Sequence, residues 1–285
     1  MSTETVYILN NGAKGIEEDR LAYQHGVLLD TTKTIIPNNI AEHLASLGRP
    51  PAIADIGTGT AIWLQDLAPL LSPDSRLDGY DYDTTKFPEA SELPDNVKLT
   101  FADFFKPFPT ELLGTYDFVH IRLLMYALKA EQWKAVATNL RTLLRPGGFL
   151  MWDELGYPTW QCLPMTEPFL KWLGTDMRYG ISVGRDIKSP LGLRGQLERL
   201  GFTQCTQQEF STYSEPAEFY KRAGHLLLNV GFQALNGILA AGGFEWVQSS
   251  SEIDDLFSAL RKDVDDGAVS LGFVVYWIVG RKPEE

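Results

Sequence analysis

The sequence predicts an α/β fold, a Rossmann-like open sheet of seven strands with helices on both faces, and three observations carry that reading. Short apolar runs at 52–56, 76–80, 96–101 and 116–122 are interleaved with stretches of helical periodicity. The first run ends in Asp55-Ile56-Gly57-Thr58-Gly59-Thr60, a glycine turn that permits positive φ and lets a ligand approach the backbone. The second run ends at Asp81, roughly 20 residues past that turn, the interval at which doubly wound folds place an acid for ribose hydroxyls.

The elements follow in order. Residues 15–30 open with acids suited to a helix N-terminus, and Leu21, Gln24, His25 and Leu28 share a face. A second helix over 38–47 has Asn38 at its expected cap and Gly48 past its end. Pro50-Pro51 separates this helical preface, 1–49, from a main domain at 50–285. After the glycine turn, Thr60 opens a helix over 61–71 with Ile62, Trp63, Leu67, Leu70 and Leu71 inward. Ile62 stands where a dinucleotide fingerprint needs a third glycine, so a pyrophosphate ligand loses support. Strands at 76–80, 96–101 and 116–122 come next, then an amphipathic helix over 131–144 with Trp133, Val136, Ala137, Leu140 and Leu144 inward. Period two puts His120 and Arg122 on one side of the fourth strand, whose carboxyl end borders the ligand crevice. A fifth strand follows Leu144-Arg145-Pro146-Gly147-Gly148, and 202–210 and 271–281 are the sixth and seventh. Two insertions remain. One, 156–190, is rich in aromatic residues and methionine; the other, 211–270, has three helical segments at 216–231, 232–241 and 251–265.

Composition bounds the function. With 285 residues and 44% hydrophobic content the chain buries a large core. A net charge of -12, from 37 acids against 25 bases, excludes the positive surface that nucleic acid or an anionic membrane requires. A small neutral or cationic substrate fits better. Cys162 and Cys205 form no disulfide or zinc framework and the four histidines have no metal-ligand spacing, so no metal is expected. Without a secretory leader or an apolar run of about 18 residues, the expected setting is the cytoplasm, as a monomer or homodimer.

Taken together, Asp55-x-Gly57-x-Gly59-x-Ala61 after a strand, Asp81 at the second strand end, Asp103-Phe104 at the third, and Leu144-Arg145-Pro146-Gly147-Gly148 before the fifth resemble the class I S-adenosylmethionine (SAM)-dependent methyltransferases. Glu17-x-x-Arg20-Leu21-x-x-Gln24-His25 is similar to the N-terminal segment of fungal secondary-metabolite methyltransferases, the group that includes the LaeA-like proteins. The resemblance implies a sheet closed by an antiparallel sixth and seventh strand. It also implies SAM as cofactor, S-adenosylhomocysteine as product and the preface as a lid. The cofactor residues are then Tyr23, Gln24, Asp55, Gly57, Thr58, Gly59, Asp81, Tyr82, Asp103, Phe104 and Arg122, with Arg122 meeting the methionyl carboxylate.

Methyl transfer is an in-line displacement that requires alignment, and a hydroxyl acceptor also needs a base. His25, His120 and Arg122 are the expected catalytic residues, with His225, Asp153 and Glu154 as further candidate bases. Trp152, Trp160, Phe169 and Trp172 are the expected contacts to a flat, apolar acceptor. Two other activities share these motifs. One is a SAM-assisted pericyclase or dehydratase; the other is a regulator of secondary metabolism.

Overall fold

The computed structural model describes residues 8–9 and 14–285. The rest of the preface lies outside the described residues. Strand β1 (Ala52–Ile56) is buried at all five positions, the pattern of a central parallel strand covered on both faces. It pairs in parallel with β2 (Arg76–Asp81) on one side and β4 (Tyr116–Arg122) on the other. Strand β3 (Val97–Phe101) flanks β2, and β5 (Leu144–Glu154) flanks β4. Strand β8 (Ser270–Arg281) then lies antiparallel to β5 and to β7 (Thr203–Ser211). The strand order is β3-β2-β1-β4-β5-β8, with β7 on the far side of β8. The doubly wound α/β class and its antiparallel closing pair both hold.

The sheet has an eighth strand that the periodicity did not reveal. Strand β6 (Trp160–Leu163) pairs with Ser270 to Phe273 of β8 and continues the row where β5 stops at Tyr276. Its four residues stand between Pro158 and Pro164, and its aromatic and sulfur-bearing neighbours read as helix. The helix over 61–71 is also shorter. It forms α3 (Ile62–Leu67), then narrows to a 3-10 turn at Ala68–Leu70, because Pro69 lacks the N–H an α-helix needs there. Leu64 takes the buried place expected of Leu70, which is 68% exposed.

Helices α1 (Lys14–Thr32) and α2 (Asn38–Ser46) form the preface; Pro37, not Asn38, is the residue before the first turn of α2. Helix α4 (Gln132–Leu143) covers one sheet face together with α6 (Leu193–Arg199), burying Trp133, Val136, Leu140 and Leu197. The opposite face carries α1, α3, α5 (Glu167–Ser182), α7 (Ala217–Ala240) and α8 (Ser250–Asp265). Val27 and Leu28 of α1 and Ile40 and Leu44 of α2 belong to this core, so the preface is packed into the domain.

The segments read as two helices at 216–231 and 232–241 are one helix of 24 residues. Gly231 suggested a break and instead serves close packing. A Cβ there would lie 2.1 Å from Cζ2 of Trp172 on α5. Gly to Ala in a helix interior ordinarily gains about 1 kcal/mol, but overpacking a filled core costs about 1–3 kcal/mol. Gly231→Ala should therefore lower stability by up to about 2 kcal/mol, read as the midpoint of denaturant unfolding. A stabilised variant would show that Trp172 yields freely.

Candidate cofactor cleft

The cleft is built at the carboxyl ends of β1 and β2. Gly57 and Gly59 adopt φ of 71° and 56°, and Ala61, left-handed at 57°, turns the chain into α3. Both Gly57 N–H and Thr58 N–H donate to the carbonyl of Tyr80, at 2.7 and 3.1 Å. The Thr58 hydroxyl donates to Asp55 Oδ2 at 2.6 Å, and Gly59 N–H donates to Asp81 Oδ2 at 2.8 Å. The turn is thus held from both strands. Leu21 of α1 lies 3.6 Å from the position of a Cβ on Gly59, so the preface helix sits over the cradle.

Asp81 accepts a second backbone bond, from Asp83 N–H, on its other oxygen. Burial raises its pKa, and those two N–H donors and Lys86 oppose the rise. Each oxygen still has a lone pair for a ligand hydroxyl. Beside it, Tyr82 and Phe101 are 60% and 58% exposed with ring centroids 5.5 Å apart, an apolar surface open to a flat ring. Asp103 accepts from Phe105 N–H and pairs with Lys106. Phe104 turns into the core against Phe105. The adjacent Phe101, which the sequence reading passed over, is the ring that stays open.

Under α1 lies a buried polar network. Asp55 uses its second oxygen on His120 Nδ1, at 2.7 Å, so the imidazole donates through Nδ1. That ring is fully buried and stacks on Trp63 at 3.9 Å between centroids, and its Nε2 meets no partner among the described residues. Arg122 donates to His25 Nδ1 at 3.0 Å, and guanidinium cannot accept, so His25 Nε2 donates to Asp66 at 2.9 Å. Burial, with Arg122 beside it, holds the His25 pKa down to about 4. Both nitrogens of His25 are therefore occupied, against its expected role as a base: neither is open to a proton from an acceptor. Burial also lowers the Arg122 pKa, while Asp55, Asp153 and Asp66 oppose that fall.

Other expected residues fall elsewhere. The Tyr23 hydroxyl donates to the carbonyl of Arg222 on α7, and Gln24 is half-buried with no side-chain bond among the described residues. Asp55 faces the turn and His120 from beneath, and does not open to the cleft. His225 pairs with Asp265 on α8. Burial raises the Asp153 pKa. Burial also pushes Glu154 up to about 8, and its oxygens accept from Leu124 N–H, Leu155 N–H and the Trp152 indole. The four expected acceptor contacts are corrected as a group. Trp152 stacks on Trp133 in the α4 face, while Trp160, Phe169 and Trp172 pack on one another and on Phe257. Large aromatic rings fill a core as readily as a pocket, and here they fill the core. The cavity of about 690 Å³ beside α2 lies at the amino end of β1, away from the cleft.

The His25 geometry sets a pH dependence. Its ordinary pKa is 6.5 and its folded value about 4, so the unfolded chain binds the extra proton first. The stabilisation is present above 6.5 and is lost as pH falls toward 4, in total roughly 3 kcal/mol. Melting curves from pH 7 to 4.5 should show this loss in the wild type. In His25→Gln, whose amide can accept from Arg122 and donate to Asp66, that component should be absent.

Comparison with known proteins agrees with the geometry. A family model described as a methyltransferase domain matches residues 31–207, from the end of α1 into β7. Methyltransferase grgD of Penicillium sp is 38% identical over 164 residues, 55% of this chain and 55% of that protein. The secondary metabolism regulator laeA of Fusarium oxysporum f. sp. lycopersici is 28% identical over 180 residues, 61% of this chain and 56% of that protein. The chain thus spans about half the length of these curated relatives. Among solved structures, Haemonchus contortus phosphoethanolamine N-methyltransferase 2 aligns with a TM-score of 0.52 at 16% identity, covering 86% of this chain and 52% of that one, a likeness of fold. Because the family match takes in the glycine turn, Asp81 and all five parallel strands, this chain belongs to the methyltransferase domain family.

Proposed function

We propose that this protein binds SAM in the cleft at the ends of β1 and β2 and methylates a small-molecule O, N or S acceptor, releasing S-adenosylhomocysteine. The observation that carries the reading is the bond from Gly59 N–H to Asp81 Oδ2, which joins the glycine turn to an acid with free lone pairs beside an exposed aromatic pair. Asp81 accepts the ribose hydroxyls, Tyr82 and Phe101 flank the adenine, and Asp103 takes its exocyclic amine. Gly57, Thr58 and Gly59 approach the cofactor with backbone. Arg122, steadied by His25, pairs with the methionyl carboxylate.

When bound, SAM supplies a sulfonium methyl whose C–S bond breaks as the acceptor forms its bond to carbon in line. The chain supplies alignment and exclusion of water. Helix α1 covers the cradle through Leu21 and Gln24, and the insertions at 156–190 and 211–270 wall the acceptor side. Within the 1–49 preface, the cover role falls to α1. No helix among the described residues is long and apolar enough to cross a membrane. The reading includes a cytoplasmic enzyme that acts as a monomer or homodimer.

A second reading, a SAM-binding regulator of secondary metabolism, is favoured by the likeness to the Fusarium regulator. Incubation with methyl-labelled SAM and an extract of the source organism separates the two. A labelled small-molecule product is expected, and retained S-adenosylhomocysteine binding without any such product would favour the regulator.

Asp81→Ala should weaken S-adenosylhomocysteine binding tenfold or more in calorimetry, since each charge-assisted bond contributes about 1.5–3 kcal/mol. Unchanged affinity would remove Asp81 from the site. Gly57→Val should abolish binding while leaving the melting transition in place, because a β-branched residue resists a φ of 71°. Normal binding in that variant would put the cradle elsewhere.

A further inference from the structure

An acid in the middle of α5 has no part in the cleft described so far. Asp176 is fully buried, and its carboxylate accepts the Tyr126 hydroxyl at 2.5 Å on one oxygen and the Tyr157 hydroxyl at 3.0 Å on the other. Arg185 lies 3.9 Å from Asp176 and stands over the Tyr126 ring at 4.9 Å. Trp160 packs on the rings of both Tyr126 and Tyr157, and Trp172, one turn before Asp176 on α5, packs on Trp160, so the site is walled by large apolar rings. Burying a carboxylate there costs stability unless something is gained from its geometry, since an ion pair in a core is often no better than a hydrophobic residue.

What the acid holds explains the gain. Tyr126 belongs to the turn that leaves the carboxyl end of β4, and Tyr157 belongs to the turn that follows β5. Those are the strand ends at which ligands bind in open α/β sheets. The β4 turn reaches the cofactor cradle directly, because Leu124 lies 3.9 Å from the position of a Cβ on Gly57. It is also strained: Leu123 has φ of 58°, a conformation that persists only where surroundings hold it. Glu154 pins the turn at Leu124 N–H, and Gly184 accepts from Ala130 N–H at its far end. Leu123 N–H donates to the Asp153 carbonyl and Lys129 bridges to Arg185, and Asp176 supplies the side-chain tie at Tyr126.

We propose that Asp176 is a positioning residue that locks the turn after β4 to the 156–190 insertion, and so sets the register between the cofactor cradle and the acceptor wall. This rests on the methyltransferase reading for its catalytic consequence, while the lock itself does not. A carboxylate accepts both phenols at once, one on each oxygen; asparagine accepts one on its oxygen and can only donate to the other, which leaves that phenol proton without its acceptor and loosens the tie.

The test compares wild type with Asp176→Asn, Asp176→Glu and Tyr126→Phe. Hydrogen exchange measured on the full chain needs no acceptor. It should rise at least about tenfold for residues 123–130 in Asp176→Asn, stay unchanged for the β1 and β2 segments, and return part-way in Asp176→Glu. S-adenosylhomocysteine affinity should stay within about twofold. With the acceptor found by the labelled-SAM assay, kcat should fall about a hundredfold at unchanged KM for SAM, the scale of a misplacement of about 1 Å. Unchanged exchange over 123–130 overturns the proposal, and so does cofactor affinity that falls in step with kcat. Failure of wild type to bind S-adenosylhomocysteine defeats the methyltransferase reading instead, and the exchange result still decides the lock. If Asp176→Asn does not fold, Tyr126→Phe removes the bond that ties the turn to the acid and is judged by the same exchange criterion.

Discussion

The carboxylate of Asp55 is the interaction on which the rest of the cleft depends. It sits at the end of the central strand, almost wholly buried, and serves two masters at once: the Thr58 hydroxyl within the glycine turn and the His120 imidazole on β4. Charge-assisted bonds of this kind contribute about 1.5–3 kcal/mol each, and a buried partner left without one costs a similar amount. The same His120 ring stacks on Trp63 of α3, the helix that the glycine turn launches. One acid therefore fixes the turn, the neighbouring strand and the helix that follows. A second tie runs from Arg122 through His25 to Asp66, joining β4, α1 and α3 by side chains alone. Helix α1 is bound to the sheet by polar contacts as well as by Val27 and Leu28.

Most of the fold was legible because parallel strands buried on both faces have to be short apolar runs, and their turns have to carry glycine. β1, β4 and most of β5 are of this kind. What was not legible depended on partners far away in sequence. β6 is four residues long and exists because β8 extends beyond the end of β5 and offers it a free edge. Gly231 looks like a helix breaker until Trp172 is placed against it. Local propensity carries no information about either.

The cleft divides in the same way. Gly57, Gly59 and Asp81 were visible because a turn and a strand end must lie where they do for the sheet to bind anything at its carboxyl edge. The histidines and tryptophans were misjudged because residue type does not reveal burial or partner. His25 is occupied at both nitrogens, and the indoles of Trp160 and Trp172 face other rings. Tyr126, Tyr157, Asp176 and Arg185 come from three separate stretches of chain and carry no common spacing. A single sequence does not assemble them.

The position of β8 has a consequence for biosynthesis. β6 and β7 depend on it for pairing, as does the outer edge of β5, yet it is made roughly 60 residues after β7 is complete. At translation rates of about 5–20 residues per second, the exposed edge of β5 waits several seconds on the ribosome for its neighbour. The parallel part, β3-β2-β1-β4-β5, has all of its internal pairings by Glu154. During synthesis this protein is therefore a half-sheet with an open flank, the interval in which a chaperone has most to protect.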